Sequence, residues 1–351
     1  MLLKFSFLLL LMFLSDFFSG SVNVMPFGGI MPIGFGMRMA IKLEEKKAWL
    51  NAVYSRGYPT FIPVMHKRTG REDSIKIRAS VHAALERWGD LKSGESLQAG
   101  ILSFQQRNGL DTTGKLDNRL IRLLNQDLQI WLKKIQVNQQ RMRQTSCSDS
   151  VRLIWVNIPD FSLRWMEAGL VKVQHRVIVG QPDWPTKAFQ SAITALHVHP
   201  SWYVPPRIWE KEMRAQVERN SGYLSRHHLE WKNGKLRQRP GPWNALGSVK
   251  LVMPNRYLIF LHGTPYPTLF RNKKRMFSHG CVRVEDAERL ASTVFTTAGL
   301  GNQAAFDQLI SNGKEQVINL PVNIPVLVSY WTVWVDEKGR LQNRDDGYGW
   351  D

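Results

Sequence analysis

The stretch FLHGTPYPTLFRNKKRMFSHGCVRVEDAERLA, residues 260–291, decides how the C-terminal half of this sequence is interpreted. His262 follows an apolar run, fifteen residues separate it from Ser278, and a Ser-His-Gly-Cys tetrapeptide then ends at Cys281. A cysteine reacts as its thiolate, and at a free pKa of ~8.5 little of it is ionised at neutral pH. A nearby imidazole and the start of the helical VEDAERLA segment both favour the anion. The pattern therefore predicts a Cys/His nucleophilic site, in which the amides around Cys281 donate to an oxyanion.

This arrangement resembles the catalytic domain of the L,D-transpeptidase family, of the YkuD type. Members of that family carry a histidine, a spacer of similar length, Ser/Thr-His-Gly-Cys, and usually Arg or Asn two residues further on. The resemblance covers roughly residues 151–330 and is closest to the larger Gram-negative members, which bear a loop over the active site and an N-terminal peptidoglycan-binding-like domain. Further matching segments are VNIP at 156–159, VIVG at 177–180, YVPP at 203–206 and RQRPGPWNALG at 237–247.

The resemblance implies a role for each catalytic residue. Cys281 is the nucleophile, and His262 is the general base that activates it. The backbone carbonyl of Gly263 orients the imidazole, which is the role of the carboxylate in a Ser-His-Asp triad. His279 helps to hold the acyl group or the oxyanion region, and Ser278 fixes the catalytic loop.

Three further residues are expected to bind substrate. Arg283 suits a bidentate contact with a substrate carboxylate. Gly280 lets another group approach the backbone closely, because it has no side chain. Trp243 lies in one of the matching segments and is a candidate for contact with glycan or peptide.

By this resemblance the reaction is acyl transfer on peptidoglycan stem peptides, a step in the biosynthesis of the cell wall. Cys281 attacks the carbonyl of the third stem residue, expels terminal D-Ala and forms a thioester. The side-chain amine of a second stem then makes a 3→3 cross-link. Three alternatives use the same thioester: an L,D-carboxypeptidase, an endopeptidase, and attachment of another acceptor such as a lipoprotein lysine. A non-catalytic peptidoglycan-binding envelope protein is the alternative from a different class. Carbapenem-type β-lactams are expected to acylate Cys281.

A zinc site is the alternative chemistry for the histidines. His197 and His199 form an HxH pair of the kind found in metal sites. His199 precedes a proline, however, and no acidic or thiol ligand accompanies the pair, so we expect no metal and no other cofactor. The second cysteine, Cys147, lies in the polar stretch 144–150 and receives no role.

The N-terminal segment MLLKFSFLLLLMFLSDFFSG, residues 1–20, predicts export. It has one early lysine, an apolar run and small residues at its end, which is the pattern of a secretory signal. The apolar run is shorter than the ~20 residues that span a bilayer. We expect a signal peptide over residues 1–24, with an uncleaved anchor as the alternative, and a periplasmic location.

A helical pattern precedes the predicted catalytic domain. The segments FQQRNGL, residues 104–110, and DTTGKLDNRLIRLLN, residues 111–125, resemble the small three-helix peptidoglycan-binding domain. Thr113-Gly114 stands where that family usually has Asp-Gly. The alternative is a helical spacer that has kept the fold and lost the ligand.

These features predict an α+β protein. Its small three-helix domain precedes a mainly β catalytic domain with an inserted loop or helical lid, because short β-branched runs begin after residue 150. The expected order is a signal peptide or anchor at 1–24, a tether and helix at 25–79, a peptidoglycan-binding-like domain at 80–127, a helical linker at 128–150, the catalytic domain at 151–330 with its insertion at about 203–247, and a C-terminal tail at 331–351.

Length and charge agree with this organisation. A chain of 351 residues is long enough for two domains, and 43% hydrophobic residues exclude a disordered protein. The formal net charge of +18 indicates an anionic partner. Because the basic residues are scattered without a nucleic-acid-binding motif, we expect an anionic wall or membrane surface and no nucleic acid. The cluster Arg271, Lys273, Lys274 and Arg275 is expected either to flank the substrate cleft or to be a solvated loop.

Overall fold

Five helices form the N-terminal part of the protein. The structure is a computed structural model and describes residues 34–55, 61–66, 69–145 and 152–351. The predicted signal peptide, the start of the tether and Cys147 lie outside these residues. No helix within the described ranges is both long and apolar enough to cross a membrane. The helices are α1 (Phe35–Ser55), α2 (Arg71–Arg87), α3 (Leu97–Arg107), α4 (Asn118–Leu124) and α5 (Leu128–Arg143).

The turn between α3 and α4 explains the FQ and DTTG segments of the sequence. Gln105 is fully buried, and its side-chain amide donates to the hydroxyl of Thr113 at 3.2 Å and to the carbonyl of Lys115 at 3.0 Å. Its side-chain oxygen accepts from the N–H of Gly114 at 2.9 Å, and Gly114 has a left-handed φ of 66°. One glutamine thus holds a turn that only a glycine adopts without strain.

The C-terminal half is built on one large sheet that closes on itself. Its strands are β1 (Arg152–Asn157), β2 (Ser162–Glu167), β3 (Leu170–Gly180), β4 (Phe189–Val198), β8 (Val249–Val252), β9 (Leu261–His262), β10 (Met276–Ser278), β11 (Val282–Val284) and β12 (Gln316–Ser329). The strand order is β10-β3-β11-β9-β8-β4-β12-β1-β2, and β2 also pairs with β3. Closure is possible because β3 is long: its first part pairs with β2 and its last part with β11. Helices α9 (Ala287–Thr297) and α10 (Gln303–Ser311) complete this half.

Strand β1 separates two hydrophobic cores. Ile154 and Val156 belong to the core that the sheet shares with α9, whereas Leu153 and Trp155 belong to a core with helices α1–α5. Successive side chains of a strand point to opposite faces of the sheet, so a strand that lies between two cores has apolar residues on both faces.

Two predicted connectors are corrected by the second core. Residues 128–150 were expected to be a helical linker, but α5 is packed against α1 and its Trp131 and Ile135 are fully buried. Residues 331–351 were expected to be a tail, but they contain the hairpin β13 (Val333–Val335) and β14 (Leu341–Asn343), which is buried in the same core. The helical and β parts therefore fold around a shared core.

The segment expected as an insertion at 203–247 contains both helices and strands. The helical pieces are α6 (Pro206–Ile208), a π turn (Trp209–Met213), α7 (Arg214–Arg219) and α8 (Tyr223–Arg226). A small sheet has the order β5-β7-β6, from β5 (Trp202–Tyr203), β6 (Leu229–Lys232) and β7 (Lys235–Gln238). The β6–β7 turn is Asn233-Gly234, with φ of 51° and 70°. Such an Asn-Gly pair is a strong signal for a β-hairpin. The many charged residues on both sides of it made the two strands hard to predict from the sequence.

Candidate active site

Paired strands bring Cys281 and His262 to one face of the sheet. Strand β11 runs parallel to β9, with Arg283 opposite His262. The N–H of Val282 donates to the carbonyl of Phe260 at 3.0 Å, so the pairing continues beside Cys281. Because alternate side chains share a face, Cys281 and Arg283 lie on the same face as His262.

The backbone fixes His262 as a neutral base. Its side chain is 4% exposed, and Nδ1 lies 2.7 Å from the carbonyl oxygen of Gly263. A carbonyl only accepts hydrogen bonds, so Nδ1 carries the proton and Nε2 keeps its lone pair. Burial, followed by the positive charges of Arg283 and Lys250, lowers the pKa of His262 to about 3. The imidazole is therefore neutral at physiological pH and able to accept a proton.

Gly247 supports the carbonyl that orients this histidine. It has a left-handed φ of 67°, and a Cβ there would lie 2.7 Å from the nitrogen of Thr264 and 2.8 Å from the carbonyl carbon of Gly263. The preceding turn is held by the fully buried Asn244, whose side-chain oxygen accepts from the N–H of Leu246 at 2.8 Å. Residues 244–247, NALG, thus pack closely against the backbone of Gly263 and hold it in place.

The Cys281 side chain rests as a thiol. Burial raises the pKa of Cys281, and a backbone hydrogen bond from Phe260 and the charges of Lys250 and Arg283 oppose this. The thiol donates to the carbonyl oxygen of Leu258 at 3.8 Å. The prediction that the start of a helix stabilises the Cys281 thiolate is wrong, because β11 separates Cys281 from α9. A neutral Cys281 thiol and a neutral His262 imidazole are the expected resting state.

This state predicts a specific pH dependence of thiol alkylation. Because iodoacetamide reacts with the thiolate, the alkylation rate of Cys281 should rise in one step centred above the ~8.5 of a free cysteine. No inflection is expected near pH 6.5, since the pKa of His262 is about 3 and its charge is constant there. Mass spectrometry of the modified peptide at each pH measures the rate.

A lysine variant sharpens this test. Lys250→Met should move the step to still higher pH, because Lys250 lowers the pKa of the Cys281 thiol. Lys338→Met is the control, since Lys338 is exposed in the β13–β14 turn. A plateau of fast alkylation at neutral pH, with an inflection near 6.5, would instead indicate a thiolate–imidazolium pair.

Lys250 is a site residue that the sequence analysis missed. It pairs in register with His262 across β8 and β9, so Lys250, His262 and Arg283 form a row on three strands. Its ammonium nitrogen lies 4.7 Å from the centroid of the Phe260 ring, beside the nucleophile. The signal in the sequence that could have indicated this residue is a lysine within the otherwise apolar run SVKLV.

The Ser-His-Gly-Cys loop is held by its own residues and by the insertion. The hydroxyl of Ser278 donates to the carbonyl of Cys281 at 2.5 Å and accepts from the N–H of Gly280 at 3.2 Å. Nε2 of His279 lies 2.6 Å from Oε1 of Glu212, in the π turn. Glu212, which is not among the residues predicted from the sequence, thus joins the inserted segment to the Ser-His-Gly-Cys loop.

Two groups that were candidates for substrate contact have partners within the protein. Trp243 is stacked on the ring of His228 at 3.6 Å, and none of its described contacts is with Cys281 or His262. The basic loop borders a different space from the thiol: Lys273 to Arg275 line a groove of about 840 Å³ together with Asp111 of the helical part. Lys273 pairs with Asp111, and the Arg275 guanidinium donates to backbone carbonyls.

The HxH pair has separate partners. Nε2 of His197 lies 3.0 Å from Oε1 of Glu315, and Nε2 of His199 lies 2.6 Å from the carbonyl of Ile310. Within the described ranges, no three His, Cys, Asp or Glu side chains group in a way that could hold a metal ion.

A cysteine and a buried neutral histidine on paired strands, with the amides of a tight loop, are groups that thiol-dependent acyl transfer uses. Residues 151–299 match the YkuD family, described as the L,D-transpeptidase catalytic domain. Residues 151–299 are therefore similar to the L,D-transpeptidase catalytic domain.

Similar known proteins bear related names. A curated protein of Haemophilus influenzae, provisionally named an L,D-transpeptidase, is 30% identical over 240 residues, which cover 62% of this chain and 48% of that protein. The chain thus spans about half the length of this relative. A solved L,D-transpeptidase from Xylanimonas cellulosilytica is 16% identical, covers 76% of this chain and 98% of its own, and has a TM-score of 0.24. The L,D-transpeptidase LdtMt1 in complex with imipenem is 9% identical, covers 51% and 59% of the two chains, and has a TM-score of 0.28.

Proposed function

We propose that this protein is an L,D-transpeptidase that forms 3→3 cross-links between peptidoglycan stem peptides through a thioester on Cys281. The observation that carries the proposal is the placement of Cys281 and His262 on one face of paired strands, within the segment that matches the family. The bond between His262 and the Gly263 carbonyl leaves Nε2 as the proton acceptor.

The neutral pair sets the order of the proposed steps. The sulfur of Cys281 forms a bond to the carbonyl carbon of the third stem residue while its proton passes to Nε2 of His262. The same proton then goes to the departing nitrogen of D-Ala, the C–N bond breaks, and the thioester remains. The side-chain amine of a second stem attacks the thioester, and its proton returns through His262 to the cysteine sulfur.

The inserted segment is proposed to act as a lid on this site. Its Glu212 contacts His279 of the catalytic loop, and Arg207 lies 3.7 Å from the centroid of the Trp184 ring, which itself packs against His279. A lid of this kind excludes water, which would otherwise hydrolyse the thioester. The lid therefore favours transfer to an amine over carboxypeptidase activity.

The remaining parts are proposed to direct the enzyme to its polymer. We propose that α2, α3 and α4 are a peptidoglycan-binding-like module, and that residues 1–24 export the protein to the periplasm. The net charge of +18 then favours the anionic wall or membrane surface. Carbapenem-type β-lactams are proposed to acylate the same thiol.

Mass analysis of muropeptides tests the reaction. Incubation of the purified protein with disaccharide tetrapeptide is expected to give a cross-linked dimer and free D-Ala. Tripeptide without dimer would replace the proposal by an L,D-carboxypeptidase, and no product would favour a non-catalytic wall-binding protein. Tetrapeptide with an acetylated side-chain amine is the control, because it can donate an acyl group but cannot accept one.

A further inference from the structure

Thr186 joins two backbone segments beneath the nucleophile. Its side chain is fully buried, and its hydroxyl accepts from the N–H of Gly180 at 2.8 Å. The same hydroxyl donates to the carbonyl oxygen of Gly280, also at 2.8 Å. Gly280 immediately precedes Cys281, so Thr186 determines where that carbonyl points.

The direction of this carbonyl fixes the N–H of Cys281. The two groups belong to one trans peptide, in which C=O and N–H point to opposite sides. Gly280 has a φ of 108°, a conformation that other residues rarely adopt. With the carbonyl directed at Thr186, the N–H of Cys281 points away from the buried loop. No acceptor in the part of the chain that the structure describes takes this N–H.

Tyr348, near the C-terminus, holds the threonine in place. Its hydroxyl donates to the carbonyl of Gly180 at 2.6 Å and accepts from the N–H of Thr186 at 3.3 Å. The Tyr348 ring is stacked on Tyr330, with centroids 5.3 Å apart. The 180–186 loop has little freedom, because a Cβ on Gly180 would lie 2.0 Å from the carbonyl oxygen of Trp184.

We propose that Thr186, supported by Tyr348, is a positioning residue that aims the N–H of Cys281 at the oxyanion of the acylation step. This inference rests on the proposed function. When the Cys281 sulfur bonds to a carbonyl carbon, the C=O π electrons move to the oxygen, and the thiol proton passes to His262. A hydrogen-bond donor that is already in position stabilises the negative charge that forms on that oxygen.

Two reactions of the same thiol separate this role from a structural one. Acylation by a carbapenem opens a β-lactam and passes through an oxyanion. Alkylation by iodoacetamide forms an S–C bond as iodide leaves, and no oxyanion forms. Loss of the Thr186 hydroxyl should therefore slow acylation and leave alkylation nearly unchanged.

The test measures both rates at Cys281 by intact-mass spectrometry. Thr186→Val should acylate at least about tenfold more slowly, since misplacing a single oxyanion donor is costly. Its alkylation rate should stay within about twofold of the original. Thr186→Ser keeps the hydroxyl and should restore acylation, and Tyr348→Phe should show a smaller loss of the same kind. Thr296→Val is the matched control, because the Thr296 hydroxyl donates to the Ser292 carbonyl within α9.

Three outcomes would overturn the inference. In the first, Thr186→Val and Tyr348→Phe both acylate at the original rate. In the second, acylation and alkylation fall equally, so that Thr186 supports the thiol and not the oxyanion. In the third, the unaltered protein takes up no carbapenem, which defeats the proposed function as well. If Thr186→Val does not fold, the Thr186→Ser and Tyr348→Phe rates decide the question.

Discussion

The Cys281→Ala variant is expected to form no carbapenem adduct and to produce cross-linked dimer at less than about a thousandth of the original rate. The expected loss is nearly complete because alanine cannot form the thioester on which both reactions depend. Intact-mass spectrometry measures the adduct, and muropeptide analysis measures the dimer. Folding should be preserved, since the substitution removes a single sulfur atom from a side chain that is not fully buried and that makes a weak hydrogen bond to the Leu258 carbonyl.

The second cysteine provides a matched control for this prediction. The chain has two cysteines, and Cys147 lies outside the described residues. Cys147→Ala should retain one adduct per chain and full dimer formation, whereas Cys281→Ala should lose both. Dimer formation that persists in Cys281→Ala would show that another group is the nucleophile.

The geometry of the proposed catalytic residues could be predicted from the sequence because their contacts join residues that are close in the chain. His262 and Gly263 are adjacent, and the Ser278 bonds that hold the loop reach only to Gly280 and Cys281. Because these contacts join residues within one short motif, the motif is enough to predict them. The protonation state was less predictable, because it depends on burial, which raises the pKa of Cys281 and lowers that of His262.

The supports of the site could not be predicted in the same way. Thr186 meets Gly280 across 94 positions of the chain, and Tyr348 meets Thr186 across 162. Such contacts exist only once the sheet has closed and the C-terminal segment has packed. The family resemblance ends at about residue 330, so the sequence predicts only a tail over residues 331–351. Val333, Trp334 and Val335 are all buried in a core formed with helices far away in the sequence, and no local pattern indicates this.

Gly247→Ala is expected to lower kcat about a hundredfold while KM changes little and the protein, although less stable, still folds. The new Cβ would approach backbone atoms of Gly263 and Thr264 at 2.7–2.9 Å, and backbone cannot move aside as a flexible side chain can. Displacement of the Gly263 carbonyl would turn the His262 imidazole away from the thiol. Misplacing a catalytic group by about 1 Å can cost about 100-fold in rate. Steady-state kinetics with disaccharide tetrapeptide measures the effect.

Gly339→Ala separates this effect from backbone strain. Gly339 has a φ of 71°, almost that of Gly247, but a Cβ there meets nothing within 4 Å. Both substitutions place alanine in a left-handed conformation, which costs about 1–2 kcal/mol. Both variants should therefore lose stability in thermal unfolding, while only Gly247→Ala loses catalysis. Equal losses of kcat in the two variants would mean that general destabilisation is responsible. A normal kcat in Gly247→Ala would mean that the Gly263 carbonyl does not control the base.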